Sequence, residues 1–261
     1  MSYNPMMAMF VQELHLNGFI DPESVVELGN QTVNIDANTA AELEYTHGNG
    51  VSAEMFYRSV FGYKRYYCID TNGRDQAIDL DINEYLNREI YSDDFVAHFD
   101  GATLVTNNGT GEHVFDQRAV FALCHDLCIV DGVMVHILPF INWINHSFYS
   151  YHPLFFIDLA QSNGYTLLAL SVGNRWGKAV DLLKGGLAEC VKQLKPKTKS
   201  SHLSRAISEV MSDEKDRSGA AFPNVMVCAA LRKNSDAPFR VPFQAKYIPD
   251  IANKEVNSRY R

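Results

Sequence analysis

Apolar residues recur along the chain in two spacings, one typical of helices and one typical of buried strands. Met6, Phe10 and Leu14 lie four residues apart and Gly18 follows them, which predicts a helix that ends near residue 18. Residues 24–31, SVVELGNQ, contain a short apolar run that ends at a glycine. This pattern is typical of a buried parallel strand followed by a tight turn.

The two patterns alternate through the rest of the chain, which favours an α/β fold with a mostly parallel sheet flanked by helices. The last two strands are expected to form an antiparallel edge. We predict one domain over residues 1–261, with 174–221 as an inserted helical segment. Further helices are predicted to start at Ser52, near Val120 and at His152-Pro153. Further strands are predicted within 63–73, 77–81, 101–114, 133–140 (broken by Pro139), 166–172 and 224–233.

Composition indicates an ordinary folded protein. Of 261 residues, 46% are hydrophobic and 21% charged, and 15 Phe and 13 Tyr argue against dominant disorder. No apolar run approaches the roughly 18–20 residues that span a bilayer. The net charge of −8 disfavours binding to nucleic-acid phosphates. The first residues lack a signal-peptide pattern and the number of cysteines, five, is odd, which predicts a cytoplasmic protein with reduced thiols.

Polar residues end several predicted strands, at the sheet edge where open α/β proteins bind ligands. Asp70 ends the second predicted strand, and its two carboxylate oxygens suit the vicinal hydroxyls of a ribose. Gly29 ends the first strand, where it would let the backbone approach a ligand closely. Asp81 ends the third strand, where it could accept a hydrogen bond from an adenine amino group. Their order along the chain favours a single cofactor site.

The motifs around these residues resemble those of class I S-adenosylmethionine-dependent methyltransferases, in particular a branch of small-molecule and glycan-modifying enzymes. The family's first glycine motif is similar to VVELGNQ, and its second- and third-strand motifs are similar to YYCID and AIDLD. Its later strands and the helix between them resemble TLVTNNGTGEHV, DGVMVHILPF, HPLFFIDLAQSNGYTLLAL and VMVCAALRK. The resemblance covers about residues 5–250 and is weakest over 174–221.

The resemblance implies a Rossmann-like sheet that binds S-adenosylmethionine and transfers its methyl group to a small-molecule or sugar-type acceptor. It places the first motif along the methionine and ribose, the second-strand acid on the ribose hydroxyls and the third-strand acid at the adenine. The end of the fourth strand lines the methyl group. In that order, the implied cofactor residues are Glu27, Gly29 and Asn30; Asp70; Asp81; and Asn107, Asn108 and Gly109.

Histidines are the natural candidates for a general base, which accelerates transfer to a hydroxyl or a protonated amine. His113, His136 and His146 follow the fourth or fifth predicted strand. His146 lies in the loop INWINHSFYSYHP, which could close over an acceptor. We therefore predict His146 as the first choice of catalytic base, then His136, with His113 as a further candidate. The spacing of the histidines matches no compact zinc signature, so no metal is predicted.

Two other functions stay open at this point. The first motif contains a single glycine, Gly29, where the family usually has two or three. This departure suits a catalytically inactive binding protein or complex partner that keeps the fold. The other alternative is a metal-assisted enzyme that uses the clustered histidines.

Overall fold

The computed structural model describes residues 2–21, 23–74, 76–87, 96, 99, 101–194 and 202–243, and its centre is a seven-stranded sheet. The strands are β1 (Ser2–Tyr3), β2 (Ser24–Leu28), β3 (Thr32–Val33), β4 (Arg65–Ile69), β5 (Ala102–Asn108), β6 (Cys128–Ile141), β7 (Thr166–Gly173), β8 (Ala179–Asp181) and β9 (Val225–Arg232). The α-helices are α1 (Pro5–Leu16), α2 (Ala37–Glu42), α3 (Ala53–Phe61), α4 (Gln117–Leu127), α5 (Pro153–Asn163), α6 (Leu187–Gln193) and α7 (His202–Ser218).

The main sheet has the order β4-β2-β5-β6-β9-β7-β8. Strands β4, β2, β5 and β6 pair in parallel. Strand β9 is antiparallel to both β6 and β7, and β8 adds an antiparallel edge to β7. The predicted Rossmann-like, mostly parallel sheet with an antiparallel edge strand is confirmed. Strand β9 itself lies inside the sheet, between β6 and β7.

The sheet is buried between two helical layers, because side chains on a strand alternate between its faces. Val26 and Leu28 of β2 join the core that contains α4 and α5, whereas Val25 packs with α1 and α3. Glu27 follows the same alternation onto the α1–α3 face and is completely buried there. An acidic side chain thus lies in the middle of an apolar layer.

Helices α3 and α5 begin at the residues that the sequence predicts. The Oγ of Ser52 accepts a hydrogen bond from the backbone N of Glu54 at 3.2 Å. The Nδ1 of His152 accepts one from the backbone N of Leu154 at 3.1 Å, so this histidine caps α5. Each cap satisfies a backbone donor that the first helical turn leaves unpaired.

The predicted third strand, 77–81, is wrong as a strand of full length. Ile78 alone pairs with Ile69 of β4: it donates to the carbonyl of Cys68 at 2.8 Å, and its own carbonyl accepts from the N–H of Asp70 at 3.1 Å. The chain then turns away, because Asp81 accepts from the backbone N of Asn83 and begins a short 3-10 turn. The acid that was expected at a strand end therefore caps a turn.

The predicted break at Pro139 is also wrong, since β6 continues to Ile141. Pro139 has no N–H to donate, and the pairing of β6 with β9 shifts register between Pro139 and Ile141. The carbonyl of Pro139 accepts from the N–H of Tyr151 at 2.7 Å, which ties the following loop to the strand. The sheet thus accommodates the proline by a register shift between β6 and β9.

The segment 174–221 contains β8, α6 and α7, and its residues 195–201 lie outside the described part of the chain. Ala206 and Val210 of α7 are buried in the core on the same face as α4 and α5. The single-domain organisation stays a prediction. Among the described residues, no helix is both long and apolar enough to cross a bilayer.

Candidate functional site

Two cavities open near the carboxyl ends of the parallel strands, where the fold predicts a ligand site. The first, here called the Asp70 cavity, has a volume of about 370 Å³. The second, the His146 cavity, has a volume of about 560 Å³. The Asp70 cavity is lined by Gly29, Asn30, Asp70, Asp81, Thr110 and His113, among others. The His146 cavity is lined by Gly109, Glu112, Trp143, His146, Arg175 and Trp176, among others.

Gly29 forms the tight turn after β2, where a side chain would clash with a neighbouring loop. Its φ is +84°, and a Cβ at this position would lie 2.4 Å from the Oγ1 of Thr110. That hydroxyl donates to the carbonyl of Leu28 at 2.7 Å, so it is held in place. The glycine therefore lets two loops meet at the floor of the Asp70 cavity.

Substituting Gly29 by alanine is expected to weaken binding of any ligand in the Asp70 cavity, and to cost about 1–3 kcal/mol of stability from the strained φ. Gly48→Ala is the matched control, because Gly48 also has a positive φ, +79°, but has open space around it. Calorimetric titration with S-adenosylhomocysteine and thermal unfolding of both variants would separate the steric effect from the backbone effect. Equal ligand affinity in the two variants would contradict the role of Gly29.

Asp70 lies at the end of β4 and faces the turn after β2. Its Oδ2 accepts from the backbone N of Asn30 at 2.8 Å, and its Oδ1 accepts from the backbone N of Asn72 at 3.0 Å. These bonds fix the carboxylate on the cavity wall. Each carboxylate oxygen has a further lone pair that can accept from a ligand hydroxyl.

Four of the predicted cofactor residues, Gly29, Asn30, Asp70 and Asp81, line the Asp70 cavity, and Gly109 lines the His146 cavity. Glu27, Asn107 and Asn108 are completely buried and line neither of these two cavities.

Asn107 is hydrogen-bonded to the turn that carries Glu112 and His113. Its Oδ1 accepts from the backbone N of Gly111 at 2.8 Å, at the start of the short turn Gly111–His113. The end of β5 thereby positions the two residues that follow Gly111.

Three side chains that line the two cavities, Glu112, His113 and His146, lie close to one another. The Glu112 Oε1 lies 3.4 Å from the Nε2 of His146 and 3.9 Å from the Nε2 of His113. The Glu112 side chain is 1% exposed, whereas those of His113 and His146 are 40% and 31% exposed. His113 lines the Asp70 cavity and the other two line the His146 cavity. The cluster thus borders both cavities.

The loop after β6 carries His146 to this position. Trp143 donates from its backbone N to the Oδ1 of Asn224 and from its Nε1 to the carbonyl of Val225, which fixes the start of the loop. Further along, the backbone N of Phe148 donates to the carbonyl of Glu112 at 3.1 Å. The loop is therefore attached to the sheet at one point and to the Glu112 turn at another, with His146 between them.

Burial sets the protonation of the cluster. It raises the pKa of Glu112 to about 8. It lowers the pKa of His146 and also that of His113, which the neighbouring His146 lowers further. Both imidazoles are thus neutral near pH 7, the form that can accept a proton or bind a metal.

His136 has a different environment. It lies in β6 and is 1% exposed, with its ring near Phe121 and Phe156 and its Nδ1 3.4 Å from the Nδ2 of Asn107. Burial lowers the pKa of His136 to about 3. It lines neither of the two cavities.

Glu112 is the main residue that the sequence interpretation missed as a site residue. Its position directly before His113 and after the Asn107-Asn108-Gly109 strand end was the available signal. An acid in that position is often a solvated loop residue, and only the tertiary structure shows that Glu112 is buried beside two histidines. Thr110 was missed too, because its contact with Gly29 joins residues far apart in sequence.

No protein-family model and no curated protein matches the sequence. Among solved structures, the chain is similar to an S-adenosylmethionine-dependent methyltransferase from Geobacter sulfurreducens in complex with S-adenosyl-L-homocysteine (12% identity, TM-score 0.38, covering 88% of this chain and 93% of that chain). It is also similar to an S-adenosylmethionine-dependent methyltransferase from Archaeoglobus fulgidus (13% identity, TM-score 0.40, covering 86% of this chain and 94% of that chain). A third similar structure is a candidate sarcosine dimethylglycine methyltransferase from Galdieria sulphuraria (15% identity, TM-score 0.41, covering 86% of this chain and 84% of that chain).

The strand order of this chain agrees with the Rossmann-like, mostly parallel sheet that the sequence predicted. Its parallel strands run in the order β4-β2-β5-β6, and an antiparallel strand, β9, is inserted before β7. The order of the parallel strands reverses at β2, next to the turn that carries Gly29. This is the switch point at which open α/β sheets bind ligands.

Proposed function

We propose that the protein transfers a methyl group from S-adenosylmethionine, bound in the Asp70 cavity, to a small-molecule acceptor with a sugar-like shape in the His146 cavity. The observation that carries this proposal is the cluster of Glu112, His113 and His146, which borders both cavities. A methyl transfer needs donor and acceptor in adjacent spaces, with a proton acceptor beside the reacting atom.

The Asp70 cavity has the chemistry to hold the adenosine part of the cofactor. Asp70 would accept from the two ribose hydroxyls, and Asp81 would face the adenine. Gly29 and Asn30 would lie along the chain that leads to the sulfonium. The cofactor supplies an activated methyl group, so the protein's task is alignment and exclusion of water.

The His146 cavity has aromatic and polar walls that suit a ring with hydroxyl groups. Trp143 and Trp176 line it, and the guanidinium of Arg175 lies 4.7 Å from the Trp176 ring centre. Indole faces pack against the apolar faces of planar or sugar rings. The acceptor is therefore proposed to be a small ring compound with a hydroxyl group directed at His146.

In the protein without a metal, His146 would accept the proton of that hydroxyl. Its Nε2 lies 3.4 Å from the Oε1 of Glu112. The O–H bond breaks as the new O–CH₃ bond forms and the S–CH₃ bond of the cofactor breaks. Glu112 holds the imidazole orientation, as acids paired with catalytic histidines do.

The test is a calorimetric titration of the purified chain with S-adenosylmethionine and S-adenosylhomocysteine, with NAD as a control. Micromolar affinity for the first two ligands and none for NAD is the expected result. An acceptor screen that measures release of S-adenosylhomocysteine then follows. Binding of the cofactor without turnover on any acceptor would favour an inactive binding protein, and absence of binding would overturn the proposal.

Asp70→Asn is expected to weaken binding of S-adenosylhomocysteine by about 1–3 kcal/mol, since the ribose hydroxyls then lose a charged acceptor. Asp79→Asn serves as the control, because Asp79 is an exposed acid on the same segment. Titration calorimetry of the two variants gives the difference directly. An unchanged dissociation constant in folded Asp70→Asn protein would remove Asp70 from the binding site.

A further inference from the structure

We propose that Glu112, His113 and His146 together bind a divalent transition-metal ion, with Zn²⁺ as the ion that best suits their donor atoms. This site would deepen the proposed methyl transfer by naming how the acceptor is activated. Metal binding itself is independent of that function, because it can be measured without cofactor or acceptor. The spacing of the histidines in the sequence predicted no metal. The proposed site differs from that prediction because the fold adds Glu112 and brings His146 next to His113.

The donor atoms are already close together. One oxygen of Glu112 and one nitrogen of each histidine lie within 4.8 Å of one another, and the pair formed by Glu112 and His146 is at 3.4 Å. Bonds of about 2.0–2.1 Å in a tetrahedral zinc site place neighbouring ligand atoms roughly 3.3 Å apart. His113 would have to move by on the order of 1 Å to complete such a site. Its side chain is 40% exposed, so it has room to do so.

The electrostatic state of the cluster also suits a cation. The second oxygen of Glu112, Oε2, is buried and has no hydrogen-bond partner among the described residues. A divalent ion would stabilise the ionised carboxylate and so offset the cost of its burial. Each imidazole has a ring nitrogen in the cluster, and a ring nitrogen is the atom through which histidine ligates metals.

The donor set indicates which ions fit. Two imidazoles and one carboxylate are a ligand set of catalytic zinc sites, in which a fourth position stays open to water or substrate. Here the open position would face the His146 cavity. Two nitrogen ligands disfavour Mg²⁺ and Ca²⁺, which prefer oxygen. With the ion bound, the acceptor hydroxyl would be the fourth ligand, its pKa would fall, and its proton would leave to solvent instead of to His146.

The experiment is equilibrium dialysis of the full chain, prepared without a histidine tag, against Zn²⁺, followed by elemental analysis. We expect one Zn²⁺ per wild-type chain and at least tenfold weaker binding in Glu112→Gln, His113→Ala and His146→Ala. The controls are His47→Ala and Glu42→Gln, which change exposed residues outside the cluster and should bind as wild type does. Co²⁺ gives a second readout, because its visible absorption spectrum reports ligand number and type.

The outcomes separate the proposals. Substoichiometric Zn²⁺ in the wild-type protein, or binding that survives all three cluster substitutions, overturns the metal site, because the second result would place the ion elsewhere on the chain. Binding of Mg²⁺ as strong as that of Zn²⁺ would also contradict the assigned donor set. Should Glu112→Gln fail to fold, the two substitutions of partly exposed histidines still decide the question. Affinity for S-adenosylhomocysteine, measured on the same samples, tests the methyl transfer separately.

Discussion

Replacing His146 by alanine is expected to lower methyl-transfer turnover by about 10²–10⁴-fold, the usual contribution of a general base. The affinity for S-adenosylhomocysteine should stay the same, because His146 lines the acceptor-side cavity and Asp70 lines the other. Steady-state kinetics with a responsive acceptor, combined with titration calorimetry, measures both quantities. His47→Ala, at an exposed histidine outside the site, is the matched control. Wild-type turnover in the His146 variant would show that the acceptor needs no activation at this point.

The pH dependence of turnover gives an independent readout of the same residue. Burial lowers the pKa of His146, so the imidazole stays neutral below the pH at which an ordinary histidine gains its proton. Wild-type turnover should therefore persist to lower pH than a histidine of ordinary pKa would allow. The alanine variant should lose this acid limb and keep only the residual rate. An acid limb of the same position in both proteins would assign it to another group.

Raising the pH from 5 to 9 is expected to destabilise the fold, and Glu27→Gln should remove a large part of that effect. Burial raises the pKa of Glu27 to about 8. The unfolded chain releases this proton near the ordinary value of 4.5, whereas the folded protein keeps it up to about pH 8. The folded state thus binds more protons between these values. Its stability is highest below the lower pKa and falls as the pH rises through the higher one.

The size of the loss of stability follows from the shift in the pKa of Glu27. Each pKa unit corresponds to 1.36 kcal/mol, so ionising Glu27 in place costs on the order of 5 kcal/mol, as large as the whole stability of many small domains. Burial also raises the pKa of Glu112 to about 8, so the ionisation of Glu112 also lowers the stability of the fold as the pH rises. Glutamine at position 27 stays neutral, and its amide oxygen can still accept the hydrogen bond that the Tyr66 hydroxyl donates at 2.7 Å.

Urea denaturation at pH 5, 7 and 9 checks the prediction on wild type, Glu27→Gln and Glu42→Gln. The free energy of unfolding should fall less steeply with pH in the first variant. The second variant, at an exposed acid at the end of α2, should follow wild type. Parallel curves for wild type and Glu27→Gln would mean that Glu27 is ionised in the folded protein.

The hydrophobic pattern determined most of the architecture, because helices and strands here follow their own local periodicity. Apolar runs that end in glycine marked the parallel strands, and capping residues such as Ser52 and His152 marked helix starts. The strand at 77–81 failed for a physical reason. Its alternating acids pair poorly with a buried sheet, and the Asp81 carboxylate finds backbone donors in a turn instead.

For the candidate site, the sequence located the residues that lie at strand ends. Gly29, Asn30, Asp70 and Asp81 were found because parallel strands bring their carboxyl ends to one edge, whatever the loops do. Sequence position could not say which of these side chains line a cavity and which are buried beneath it. Glu27 and Asn107 are examples of the second kind, since strand alternation and close packing direct them into the interior.

The sequence by itself thus determined the sheet, the order of its main elements and the edge at which a cofactor would bind. Only the tertiary structure decided that Glu112, His113 and His146 meet at one point. That meeting depends on the hydrogen bonds that hold the loop after β6 to Asn224 and to the carbonyl of Glu112. Contacts between residues so far apart in the chain have no local signal, because they form only when the complete fold is packed.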